Sequence, residues 1–357
     1  MMTKKQWKNK KWTVTCALLC AGCLMTACGA GSGEKTDAGM KAVEGQSYEE
    51  ALTDFEQAIS DGEDLELAYR GQGLAYLGMG DCDNAIAAFE EALKHAGMFP
   101  SDLEYDINFY LATAKYKKGD AMAAIETLDA VLGLRESDKD AYFLRGSAWM
   151  KVGEDEKGKA DFEKAIELSK SDPDMVIDVY EVLANYGLAE DGKTYLNNLL
   201  AEHPKDLKEF EKGRIYYYLE DYENARNNLE TAKSNMKKPD AVTVLMLGRS
   251  YEALDESDYA AGLYSAYLQE NDPDAEMYNQ LGLCKLKAED YAGAFDAFTA
   301  GLEVEENPYR QSLLFNQAVA CEYLGNYEKA KGLMKDYTAA YPEDEAAKKE
   351  YAFLKSR

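Results

Sequence analysis

The sequence predicts an all-α solenoid built of helix-turn-helix repeats, and three observations carry that reading. Apolar residues recur at i, i+3, i+4 and i+7 from residue 37 onward, with no alternating strand pattern of useful length. A small residue followed four positions later by a large apolar one returns at intervals of about 34 residues. The prolines, which break helices, keep a similar interval.

The small residue is Ala51, Ala85, Ala124, Gly158, Gly192, Ala225, Ala260, Ala294 and Ala330, one in each unit and never larger than Ala. Four positions on stand Phe55, Phe89, Leu128, Phe162, Leu196, Leu229, Tyr264, Phe298 and Met334. A small side chain lets two helices approach, and the large one a turn later fills the groove between them. Every proline falls at the junction after a second helix, at Pro100, Pro173, Pro204, Pro239, Pro273, Pro308 and Pro342. Within units, Gly80-Asp81, Gly119-Asp120, Gly153-Glu154 and Gly325-Asn326 place glycine where a helix ends left-handed, with an acidic or amide residue to begin the next.

One unit reads Tyr69, Gly73, Tyr76, Gly80, Asp81, Ala85, Phe89, Ala92 and Leu93. The same pattern returns at Tyr142, Gly146, Trp149, Gly153, Phe162 and Ala165, and at Tyr278, Leu281, Gly282, Asp290, Tyr291, Ala294, Phe298 and Leu302. It resembles the tetratricopeptide repeat. The resemblance implies a right-handed superhelix whose first helices line a concave, protein-binding surface. Phased on it, the chain holds eight full repeats from about 66 to 342, a degenerate one at 37–65 with a short first helix, and a capping helix at 343–355. The whole array is expected over 40–357.

The first residues form a different kind of segment. Lys4, Lys5, Lys8, Lys10 and Lys11 precede an uncharged run from Trp12 to Gly33, the pattern of a secretory signal. Its apolar part, roughly 14–25, is short of the about 20 residues that a spanning helix needs. Leu24-Met25-Thr26-Ala27-Cys28 then resembles the bacterial lipobox, whose cysteine sulfur receives diacylglycerol; Cys23 is a weaker rival because no polar tether follows it. A signal peptide over 1–27 and a lipidated cysteine with a flexible tether over 28–39 are therefore expected.

The chain carries 40 Lys and Arg against 66 Asp and Glu, a net charge of −26. Nucleic-acid backbones call for clustered positive charge, so this balance argues against that class of partner. Chemistry is equally thin. The two histidines, His95 and His203, have no ligand-spaced partner, so no metal or other cofactor is expected. Cys82, Cys284 and Cys321 are scattered over core positions and form no disulfide framework. Acidic pairs such as Asp61 with Glu63 read as solvated surface, and no nucleophile has an identifiable base. The chain is not expected to be an enzyme.

Carried over from the resemblance, the groove-lining fifth position reads Arg70, Phe109, Phe143, Ile177, Phe210, Leu245, Asn279 and Phe315, a mostly apolar ladder. Between Lys205 and Arg249 the acidic excess vanishes, with nine basic against eight acidic residues. Here Phe210, Arg214, Tyr217 and Tyr218 fall on groove positions of one repeat, with Arg249 on the next. Aromatic and Arg side chains supply most interface hot spots. These five, with Phe109 and Phe143, are the expected peptide-binding residues. The expected function is a scaffold or adaptor for a protein or peptide partner, held by the lipid on Cys28 at the extracytoplasmic face of a cell membrane. Rival readings are an assembly lipoprotein of an outer-membrane insertion or pilus machine, and a cell-wall enzyme or its glycan-binding accessory.

Overall fold

The first helix begins earlier than the sequence pattern implies, and the cause is a cap supplied from the next repeat. In the computed structural model, which describes residues 33–170, 172–305 and 307–356, α1 spans Glu34–Glu44 and α2 spans Tyr48–Asp61. The Glu63 carboxylate accepts from the backbone N–H of Lys35 at 3.1 Å and of Thr36 at 2.8 Å, and from the Thr36 hydroxyl at 2.7 Å. It thus satisfies donors that a helix N-terminus leaves without partners. Gly33 permits this, because its φ of 99° is left-handed and any Cβ would collide with the Glu63 side chain. The segment expected as tether therefore turns helical at Glu34, and its Thr36 and Gly39 are buried. Cys28 and the signal segment lie outside the described residues.

The rest of the chain continues the alternation, as α3 (Leu65–Gly78), α4 (Cys82–Lys94), α5 (Asp102–Lys118), α6 (Ala121–Leu134), α7 (Lys139–Lys151) and α8 (Asp155–Ser169). Then follow α9 (Pro173–Asn185), α10 (Ala189–Glu202), α11 (Glu209–Tyr218), α12 (Tyr222–Asn235), α13 (Ala241–Ala253) and α14 (Ser257–Glu270). The series closes with α15 (Ala275–Lys287), α16 (Tyr291–Leu302), α17 (Arg310–Tyr323), α18 (Tyr327–Ala340) and the capping helix α19 (Glu345–Lys355). No strand occurs among the described residues. The chain divides into two compact units, residues 1–161 and 162–357, each a stack of antiparallel helix pairs.

Local chemistry sets the boundaries. Asp81, Asp120 and Asn326 each accept a hydrogen bond from the backbone N–H three residues on, as N-caps do. The preceding glycines, Gly80, Gly119 and Gly325, have positive φ, the left-handed stop expected of them. The small and large series are buried throughout, Met334 at 1% exposure being the most accessible of the large residues.

The structure adds a relation that the sequence pattern does not state. Large residues of the second helices lie against the residue sixteen positions earlier, on the first helix of the same pair, in seven of the nine units. A Cβ added at Gly39, Gly73 or Gly213 would stand 2.6 Å from Phe55, Phe89 or Leu229, and at Gly248 or Gly282 it would strike the ring of Tyr264 or Phe298. Where the first helix has Ala instead, at Ala112 and Ala318, the opposing residue is Leu128 or Met334, in the same core cluster. Volume removed on one helix is thus replaced on the other, as close packing requires.

Candidate functional site

In unit 2 the first helices α9, α11 and α13 lie side by side, and α15 beside α17. Their facing side chains form a wall rich in tyrosine and carboxylate. Arg214 of α11 reaches back to Asp174 of α9 at 2.5 Å while its guanidinium sits 5.6 Å from the Phe210 ring centre. The Tyr218 hydroxyl donates to Glu181 at 2.7 Å, and its ring meets Tyr180 and Tyr217 edge-on at 5.4 and 5.8 Å. On α13, Arg249 is bound to Glu276 of α15.

The structure therefore brings Phe210, Arg214, Tyr217, Tyr218 and Arg249 onto one wall. These side chains also carry packing duties. Phe210, Tyr217 and Tyr218 pack against the hydrophobic core of unit 2, and both arginines are already neutralised by carboxylates. The acidic excess of the chain makes this natural, since a guanidinium on such a surface finds an internal partner. Phe109 and Phe143 stand apart in unit 1, where Phe143 is only 4% exposed and Phe109 is half-buried against Tyr110. The apolar ladder is likewise core rather than open surface, with Ile177 and Leu245 buried. Its two polar rungs are satisfied internally. Arg70 pairs with Asp106 at 2.5 Å, and the buried Asn316 amide donates to Asn279 at 2.9 Å.

The feature that sequence reasoning missed is Asp178. It stands on α9 between Asp174 and Glu181, remains exposed to solvent, and accepts no hydrogen bond from the described residues. Desolvation by the surrounding helices, with repulsion from Glu181, Asp174 and Asp172, pushes its carboxyl from the ordinary 3.8 up to about 6, against the pull of Arg214. The signal that could have exposed it is the repeat itself. Arg214 and Asp174 are 40 positions apart and Tyr218 and Glu181 are 37 apart. Matching each polar residue to the helix one repeat away leaves Asp178 without a mate.

The raised pKa of this carboxylate predicts an effect on stability. Between pH 3.8 and about 6 the folded state holds the proton more tightly than the unfolded one, so stability falls as pH rises through that window. Asp178→Asn removes the charge. The variant is expected to have the higher urea midpoint at pH about 7.5 and to lose that advantage at pH about 2.5, below both the unfolded and the folded pKa, where Asp178 is protonated in both states. Equal midpoints at both pH values would show that the carboxylate is not strained.

Nothing in the wall has the makings of a catalytic pair. The Cys284 thiol is pushed up by burial and by Glu252, which disfavours the nucleophilic thiolate. Cys284 and Cys321 are core residues, as expected, whereas Cys82 opens α4 and is only partly buried. His95 stacks on Tyr69 and His203 faces Asp206. No group of three or more His, Cys, Asp or Glu among the described residues is placed to hold a metal ion. A polar hollow of about 540 Å³ lies between the connections at 236–240 and 271–274, lined by Lys238, Tyr267 and Asp274 among others. It belongs to helix ends rather than to the wall.

Stacked helix pairs whose first helices form a shared face, unit by unit, define a helical-repeat protein. The tetratricopeptide repeat family matches residues 36–102, 70–114, 109–173 and 245–311, and the chain belongs to that family. No curated protein matches it. Among solved structures it is similar to a tetratricopeptide repeat protein from Parabacteroides merdae ATCC 43184, with 14% identity, 72% of this chain and 98% of that one covered, and a TM-score of 0.49. A MamA protein from Desulfovibrio magneticus RS-1 is 19% identical over 49% of this chain and 99% of its own, with a TM-score of 0.41. YrrB, described as a tetratricopeptide repeat protein with an unusual peptide-binding site, is 21% identical over 62% of this chain and 96% of its own, with a TM-score of 0.34.

Proposed function

We propose that the chain is a membrane-anchored scaffold, facing the extracytoplasmic side, that binds an extended protein or peptide segment along the first-helix wall of unit 2. The observation that carries the binding half is Asp178, an ionisable group held exposed and unmated beside aromatic side chains in a wall whose arginines are already paired. Leaving a carboxylate so placed works against folding and serves a ligand that neutralises it. The segment it fits presents a Lys or Arg toward Asp178 and an apolar or aromatic side chain toward Phe210 and Tyr217.

The anchoring half is supported by sequence. Five lysines, a short apolar run and the Leu24–Cys28 pattern converge on Cys28. No helix among the described residues is long and apolar enough to cross a membrane. Mass spectrometry of the membrane fraction is expected to find a mature chain that begins at Cys28 and carries acyl chains there. A chain beginning elsewhere, or a Cys28→Ala protein that is still lipidated, would remove the anchor. Capture from solubilised membranes with the lipidated chain as bait identifies the partner.

A further inference from the structure

We infer that one edge of unit 1, carrying Met98, Phe99 and Leu134, seats in the interfacial layer of the lipid bilayer; the inference rests on the anchoring at Cys28. Met98 is 90% exposed, Phe99 79% and Leu134 68%, the three highest values among the large apolar side chains. They belong to neighbouring connections. Met98 and Phe99 lie between α4 and α5, and Leu134 ends α6. Arg135, which follows Leu134, is ion-paired with Asp102 and lies over the Tyr105 ring at 3.7 Å, so the two connections meet.

The same edge receives the chain from its N-terminal side. Gly33 and the start of α1 are held by Glu63, in the connection between α2 and α3. Glu66, just beyond that connection, has its carboxyl pushed up by burial and by the nearby Glu104, just beyond the next. Three successive connections therefore follow the start of α1 along one edge. Five residue steps lead from Cys28 to Gly33, a reach of at most about 18 Å. With packed helices about 8–10 Å apart, a lipid on Cys28 holds this edge, rather than the opposite one, against the membrane surface.

The chemistry of the edge fits a bilayer better than a protein. From Ala96 to Ser101 there is no charged residue, and the apolar side chains project from a connection instead of lining a groove. A protruding tip needs a surface that yields around it, and the headgroup and acyl boundary does so, accepting apolar side chains to a depth of about 5–10 Å. The matching connections of unit 2, at 203–208, 236–240 and 271–274, carry Lys, Asp, Asn and Pro. An apolar tip is thus not a requirement of the repeat. The acidic chain gains nothing from anionic lipid, so the seat is expected to form on zwitterionic phosphatidylcholine.

The test places a reporter on the tip. Once the signal segment is removed, Trp149 is the sole tryptophan, which makes the parent a clean baseline. Lipidated Phe99→Trp protein is reconstituted into phosphatidylcholine vesicles brominated on their acyl chains, and the lipid on Cys28 is verified by mass in the same preparation. Emission of Phe99→Trp is expected to be quenched at least about twofold more than that of the parent, and Met98→Ser with Leu134→Ser on that background to reduce the difference. A lipidated preparation in which both proteins are quenched alike overturns the edge while leaving the anchor standing. Quenching that appears only when a captured protein partner is added overturns it too, and gives the tip to that partner. A preparation without lipid at Cys28 overturns the anchor, and the edge's route to the membrane with it.

Discussion

Replacing Phe298 with Ala is expected to destabilise the chain by about 3–5 kcal/mol, the range for emptying a fully buried aromatic site, because the ring is 0% exposed and fills the space above Gly282. The informative experiment is the pair. Gly282→Ala directs a methyl group into the ring of Phe298 and is expected to lose about 1–3 kcal/mol through overpacking. Gly282→Ala combined with Phe298→Leu reproduces the combination that the chain already uses at Ala112 and Leu128, so the double variant is expected to recover most of that loss. Urea unfolding of the parent, Gly282→Ala, Phe298→Leu and the double variant gives the coupling between the two sites, which residues in direct contact show at about 0.5–3 kcal/mol. An additive pair would mean that the helices slide apart instead of packing ring against backbone.

That coupling marks where the sequence was legible and where it was not. The small residue and the large one four positions on occupy a single helix face, so their alternation can be read along the chain, and all eighteen positions proved buried. The second relation joins two helices and spans sixteen positions, and Gly73 and Gly282 show only as pattern members until the rings of Phe89 and Phe298 are seen over them. The polar wall was harder still. The repeat phase assigns Phe210, Arg214, Tyr217, Tyr218 and Arg249 to groove positions, but the carboxylates that hold the arginines come from neighbouring repeats, 40 positions back for Asp174 and 27 forward for Glu276. Glu63, read as solvated surface, caps a helix 27 positions upstream. Periodicity reports which side of a helix a residue faces, whereas the mate of a charge depends on how repeats stack.

The largest effect on binding is expected from pH, and it follows from Asp178. With a pKa of about 6, the carboxylate is nearly all ionised at pH about 7.5 and only about a tenth ionised at pH about 5. A segment that binds through a Lys or Arg needs the ionised form, and apparent affinity scales with the competent fraction, so binding is expected to weaken about tenfold between those two pH values. Neither Lys nor Arg titrates in that range, and the charged groups that face Asp178 are Asp172, Asp174, Glu181 and Arg214. Asp178→Asn fixes the neutral state. At pH about 7.5 it is expected to bind the captured partner as weakly as the parent does at pH about 5, and to show no further fall on acidification, a loss of about 1.4 kcal/mol. Arg214→Ala removes a cation that lowers the Asp178 pKa, and so is expected to move the midpoint of the parent's pH dependence upward. Titration calorimetry or surface binding at the two pH values decides the matter. A partner held equally at both, or held by Asp178→Asn as by the parent, does not use this carboxylate, and its contact must then be sought elsewhere on the wall.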